Sequence, residues 1–287
     1  MNIVVVGGSG LLGSVLVPKL QLSDNNVTTV GRSQVNDYRC DISDVTSTYL
    51  ILDRLKPDIL INLVALTDVD LCETDPRQAF LINVRVTENM VSWIETGRKE
   101  CHFIQISTDQ VYDGNGPHRE ADVMLTNYYS FSKYASELAV SRVSSTVLRT
   151  NFFGISSIND RPSFTDWIYS TTHSNAKNIF FNDVFFSPLS MHTLSEMIAL
   201  VAEVKPLGTY NLGSHKGLSK AEFALMFLDK LNLKSRNMEI KSIEDVTFMK
   251  TYRPKDMRMS VIMFEEQVGV KLPALEDEIT RVIVDYY

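Results

Sequence analysis

The side chains that could do chemistry in this chain are hydroxyls and one amine rather than metal ligands. Tyr129 lies four residues before Lys133 in "YYSFSKYASE". That spacing puts both on one helix face, where they read as a catalytic pair or as an aromatic stripe beside a surface lysine. The adjacent Tyr128 has no lysine at that distance. Ser107, Thr108 and Asp109 fall in "FIQISTDQVYDG", after an expected strand. Ligands of parallel α/β sheets bind at this end of the strands, so these hydroxyls could hold a reacting carbonyl, or could simply form the turn. The five histidines show no HExxH spacing, and Cys40, Cys72 and Cys101 make no CxxC pair. No metal site and no disulfide framework is expected.

A second group could bind phosphate. "VVVGGSGLLGSVLV" sets Gly7, Gly10 and Gly13 at G-x-x-G-x-x-G spacing between a strand and an apolar-periodic helix. Such a loop needs glycine for a tight turn, for close approach of backbone N–H groups to a pyrophosphate, and for contact of helix with strand. Arg32 ends the second strand, where an NAD-specific domain places Asp or Glu on the ribose 2′-hydroxyl. A guanidinium there suits a 2′-phosphate and so favours NADP over NAD, with NAD still possible. Asp41 and Ile42, after the third strand, are placed to hold the adenine edge, although Asp41 could instead cap the next helix.

The elements that must carry these residues alternate. Short β-branched runs ("NIVVVGG", "VTTVGR", "DILINLVAL", "CHFIQIS", "STVLRTNFF") are separated by helical patterns such as "VTSTYLILDRLK", "PRQAFLINVRVTENMVSWIETG" and "YSFSKYASELAVSRV". This predicts an α/β fold: a Rossmann-type, doubly wound parallel sheet with helices on both faces. Residues 1–150 are read as the nucleotide-binding domain. Residues 151–287 are read as a smaller substrate-binding region, irregular over 155–186, with "GTYNLG" (208–213) returning to the large sheet. The 287 residues carry 28 Lys+Arg against 35 Asp+Glu, a net charge of −7. That balance argues against nucleic acid as a partner. No apolar run reaches membrane-spanning length and no basic leader opens the sequence, so a cytoplasmic protein is expected.

Taken together, "GGSGLLG", "STDQVYDG" and "YSFSK" resemble the GxxGxxG loop, the "STDYVFDG"-like segment and the YxxxK of extended short-chain dehydrogenases/reductases. Within these they are most similar to dTDP-4-dehydrorhamnose reductases. The likeness continues through "PDILINLVALTDVDLCE", "NVRVTENM", "VLRTNFFG", "GTYNLG" and "RPKDMRMS". It implies reduction of the 4-keto group of a nucleotide-linked deoxysugar by NADPH, in a possible homodimer. By that resemblance Tyr129 protonates the substrate oxygen, Lys133 lowers the Tyr129 pKa and holds the nicotinamide ribose, and Thr108 shares the substrate oxygen. The cofactor would be held by Gly7, Ser9, Gly10, Leu11, Leu12, Gly13, Arg32, Asp41, Ile42, Leu63, Val64, Ala65, Ile106, Tyr129 and Lys133. The substrate would meet Thr108, Asp109, Phe152 and Arg253, with Arg258 an alternative to Arg253 at the diphosphate.

Some positions depart from the family pattern. Gln110 stands where sugar-nucleotide dehydratases carry a catalytic Glu, which disfavours water elimination. Ser130 replaces a Gly after the tyrosine, Leu125 lies where a Pro is usual, Phe152 replaces a Trp, and Ser187–Ser190 reads "SPLS" in place of "GxPT". Two other readings stay open: an NAD-dependent sugar-nucleotide epimerase, and an NADP-binding regulatory subunit of the methionine adenosyltransferase type.

Overall fold

Successive side chains of β1 (Asn2–Val6) divide between two cores: Ile3 and Val5 join one, Val4 and Val6 the other. A strand covered on both faces produces this division, because its side chains alternate across the sheet. In the computed structural model, which describes residues 1–287 apart from 98, 99, 159, 174 and 236, β1 is an interior strand of a seven-stranded parallel sheet. On one side lie β2 (Asn26–Gly31) and β3 (Tyr38–Arg39). On the other lie β4 (Ile59–Asn62), β5 (His102–Thr108), β6 (Ser145–Thr150) and, outermost, the Gly208–Leu212 strand. The mixed α/β, doubly wound fold expected from the alternating pattern is the fold observed.

Helices cover both faces. Helix α1 (Gly13–Gln21) adds Leu16 and Leu20 to one core, and α2 (Val45–Leu55) adds Leu52 to the other. The stretch that reads as one long helix, "PRQAFLINVRVTENMVSWIETG", is interrupted. After α3 (Val69–Thr74) come α4 (Pro76–Ala79), a π-helical turn at Phe80–Arg85, and then α5 (Val86–Glu95). Widened turns of this kind gather at functional sites. Here the turn carries Asn83, which accepts from the Leu66 N–H at 2.7 Å and donates to Ser132 Oγ at 2.9 Å, tying the loop after β4 to the next helix.

That helix is α6 (Tyr128–Val140). Asn127 and Ser130 form a reciprocal capping box: the Ser130 N–H donates to Asn127 Oδ1 at 2.9 Å, and Ser130 Oγ accepts from the Asn127 N–H at 3.3 Å. The serine that replaces a family glycine therefore fixes where α6 begins. Beyond β6 the chain is less irregular than its composition suggests, since α7 (Phe164–Ser170) and a strand at Asn178–Phe181 lie within 155–186. They build a phenylalanine-rich core with α9 (Lys220–Lys230) that includes Phe153, Phe180, Phe186, Phe223 and Phe227. Helix α8 (Met191–Val204) returns to the sheet, packing Leu194, Ile198 and Val201 beside Leu16 and Leu20. No described helix is long and apolar enough to cross a membrane.

Candidate active site

A cavity of about 650 Å³ opens at the carboxyl ends of β1, β4, β5 and β6. Gly7, Gly10, Leu11, Leu12 and Gly13 form one wall, and Leu63, Ala65 and Ile106 the floor. Thr108, Asp109, Tyr129, Lys133 and Phe152 line the far side. Two sequence motifs separated by about a hundred residues thus meet in one space, as the topology of such a sheet requires.

The glycines are there for distinct reasons. Gly7 has φ +86°, a left-handed conformation that side chains disfavour, and a Cβ on it would also lie 3.1 Å from Val64 Cγ2. A Cβ on Gly13 would sit 2.2 Å from the Gly8 carbonyl oxygen, so helix and loop could not approach as they do. Helix α1 has no side-chain N-cap. The N–H groups of Leu11, Leu12 and Gly13 have no protein partner among the described residues. An uncapped helix start with free N–H groups, facing a cavity across bare glycine, fits the pyrophosphate of a dinucleotide.

Not every expected cofactor residue lines this space. Val64 packs beneath Gly7, and Ser9 Oγ accepts from Asn36 Nδ2 at 3.3 Å. Ile42 is buried in the core beneath α2 and presents only its carbonyl, which accepts from Thr48 and Asn89. Asp41 accepts from Ser43 N–H and Oγ, while Asp44 is the residue that caps α2. Asp41 also borders a small pocket of about 340 Å³ with Arg32, Cys40 and Arg39. Arg39 was not foreseen. Its signal is position: it ends β3, the strand that pairs with β2 one register from Arg32.

At the reacting end, Tyr129 is 6 % exposed and Lys133 2 %. Burial holds the Tyr129 phenol well above its usual pKa, contact with the Thr108 hydroxyl opposes this, and Asp109 and Cys72 add to it. The Lys133 ammonium donates to the Ile106 carbonyl at 2.7 Å. Burial also weakens the hold of Lys133 on its own proton, to a pKa of about 8, against the pull of Glu137 one turn on. Glu137 is committed to a buried network: it accepts from Ser107 Oγ and takes three hydrogen bonds from Arg149, whose Nη1 donates to Tyr112 Oη at 2.7 Å. Tyr128 lies outside the cavity, against Leu66 and Phe131.

A second cavity of about 590 Å³ shares Gln110 and Asn151 with the first. Aromatic side chains line it, among them Phe164, Trp167, Phe180 and Phe248. So do Lys177, Lys220 and Arg253, with no carboxylate among the lining residues. Arg253 is paired with Asp70 at 3.0 Å, and Lys177 with Glu239 at 2.7 Å. Arg258 lies outside both cavities and is bound by Asp256 at 2.6 Å. Among the described residues no cluster of His, Cys, Asp and Glu could hold a metal ion.

Comparison with known proteins agrees with this geometry. The chain is 27 % identical to the probable low-salt glycan biosynthesis reductase Agl14 of Haloferax volcanii, over 96 % of this chain and 95 % of that one. It is 24 % identical to methionine adenosyltransferase 2 subunit beta of Pongo abelii, over 95 % and 84 % respectively. Its fold matches that of dTDP-4-dehydrorhamnose reductase from Bacillus anthracis, solved with NADP, at a TM-score of 0.88 and 23 % identity over 99 % of this chain and 98 % of that one. The model of the RmlD substrate binding domain matches residues 1–287, and the chain therefore belongs to that family of sugar-nucleotide reductases, as an NAD(P)-dependent oxidoreductase.

Proposed function

We propose that this protein uses NADPH to reduce the 4-keto group of a nucleotide-linked deoxysugar. The observation that carries the reading is the single cavity in which Thr108, Tyr129 and Lys133 face the glycine loop. When bound there, the reduced dinucleotide supplies the hydride that reaches the carbonyl carbon. Tyr129 and Thr108 hold the carbonyl oxygen, which fixes the reacting atoms in place and makes the transfer effectively unimolecular. As negative charge grows on that oxygen, Tyr129 gives it a proton. A phenol keeps its proton at neutral pH and so is ready to give it as charge builds on that oxygen. Lys133, anchored on Ile106, presents its remaining N–H groups to the nicotinamide ribose and to the phenolate left after proton transfer.

The second cavity suits the nucleotide diphosphate. Its aromatic faces can stack on a base, and its cations, with no carboxylate among the lining residues, favour a dianion. The choice of NADPH over NADH rests on Arg32 and Arg39 at the small pocket beyond β2. Likeness to a methionine adenosyltransferase subunit keeps a regulatory role as the second reading. Oxidation of NADPH with a panel of dTDP- and UDP-linked 4-keto sugars separates the two: turnover supports the reductase, and tight NADPH binding without turnover on any sugar supports the regulatory subunit.

A further inference from the structure

Gln110 and Asn151 line both cavities, and each leaves an amide oxygen unmet. Gln110 follows Thr108 by two residues, and its Oε1 is buried with no hydrogen-bond partner among the described residues. The family segment has Tyr at this position. Asn151 Nδ2 donates to Asp109 Oδ2 at 2.7 Å. An ionised carboxylate only accepts, so this bond turns the amide one way and leaves Asn151 Oδ1 without a protein donor among the described residues. Asp109 itself is 1 % exposed, and its partners Asn151 and Thr108 leave little room for contact with anything else.

We propose that Gln110 and Asn151 are specificity-determining residues whose amide oxygens accept from two ring hydroxyls of the substrate sugar, with Asp109 the positioning residue that keeps Asn151 in its accepting orientation. This rests on the reading of the second cavity as the site of a nucleotide-linked sugar. It adds the substrate class: sugars that keep free ring hydroxyls at C2 and C3, in preference to those deoxygenated or alkylated there. A sugar hydroxyl is matched to the need, since each can give the hydrogen that an unmet amide oxygen lacks.

The test is calorimetric binding of dTDP-glucose, its 2-deoxy and 3-deoxy analogues, and dTDP alone. Loss of one neutral hydrogen bond is worth about two- to tenfold in affinity, so the wild type should bind dTDP-glucose that much more tightly than at least one deoxy analogue. Gln110→Leu and Asn151→Leu should each remove discrimination at one position while dTDP binds as before. Asp109→Asn should remove the discrimination assigned to Asn151 and leave that of Gln110, and Asp109→Glu should restore part of it. An Asp109 with only a structural role would change thermal stability and leave the ratio of affinities intact, and that result overturns the proposal. So does equal binding of all sugars by the wild type, or failure of dTDP-glucose to bind. Because turnover is not measured, discrimination without reduction of any keto sugar would refute the reductase reading alone, and reduction without discrimination would refute this one.

Discussion

Lys133 donates to the carbonyl of Ile106 at 2.7 Å, so the amine of α6 is fastened to β5 two residues before Thr108. Both ends of the proposed catalytic set are thereby fixed to the same strand. Tyr129 is held at the start of α6 by the capping box beneath it.

The paired tyrosines offer an internal control. Tyr129→Phe keeps the ring and its packing and removes the proton, so turnover of a keto sugar should fall by about 10²- to 10⁴-fold with little change in NADPH affinity. Tyr128→Phe, outside the cavity, should remain close to wild type. Steady-state kinetics and fluorescence titration with NADPH check both.

Lys133 should leave a mark on stability above neutral pH. Its folded pKa of about 8 lies below the ordinary 10.5, because burial disfavours the charged form. The unfolded chain therefore binds more protons across that interval. Stability should rise as pH climbs from about 8 towards 10.5, by up to about 1.4 kcal/mol per pH unit from this group. Urea denaturation at a series of pH values should show the stability of the wild type gaining on that of Lys133→Met across this interval.

Two arginines rather than one border the pocket beyond β2. Arg32→Ala and Arg39→Ala should each weaken NADPH by about ten- to a hundredfold, the worth of one charge-assisted contact, and leave NADH nearly unchanged. Equal losses for the two dinucleotides would assign the arginines to structure alone.

Behind the site, Arg149 and Glu137 form an ion pair at 2.7 Å with both side chains almost fully buried. Removing one partner strands the other charge, so Glu137→Leu should cost about 3–5 kcal/mol of unfolding free energy. Replacing both, as in Glu137→Leu with Arg149→Met, should cost less than the single change. Denaturant midpoints of the two variants decide this.

Features whose physics is local were legible in the sequence. The glycine loop is set by turn geometry over seven residues, the Tyr129 and Lys133 spacing by one helical turn, and the strands by apolar runs. What escaped was set by distant parts of the chain. The π-helical turn at Phe80–Arg85 has no propensity signature, because its wide turn is bound up with the contacts of Asn83 to Leu66 and Ser132. Spacing reveals that a lysine is near Tyr129 and not that its ammonium is bound to the Ile106 carbonyl. Asn151 is some forty residues from Asp109, and nothing in either segment announces the hydrogen bond between them.

The Gly208–Leu212 strand closes the sheet by pairing with β6, and its Asn211 donates to the His118 and Ser260 carbonyls and accepts from Tyr112. The chain beyond residue 150 is therefore no detachable cassette. Cutting there would strip the partner from β6 and leave its outer backbone donors and acceptors open to a second chain. Grafting a different sugar-binding half onto this nucleotide-binding half would have to carry that outer strand along, so substrate range in this architecture can change by replacing residues at the throat far more readily than by exchanging whole segments.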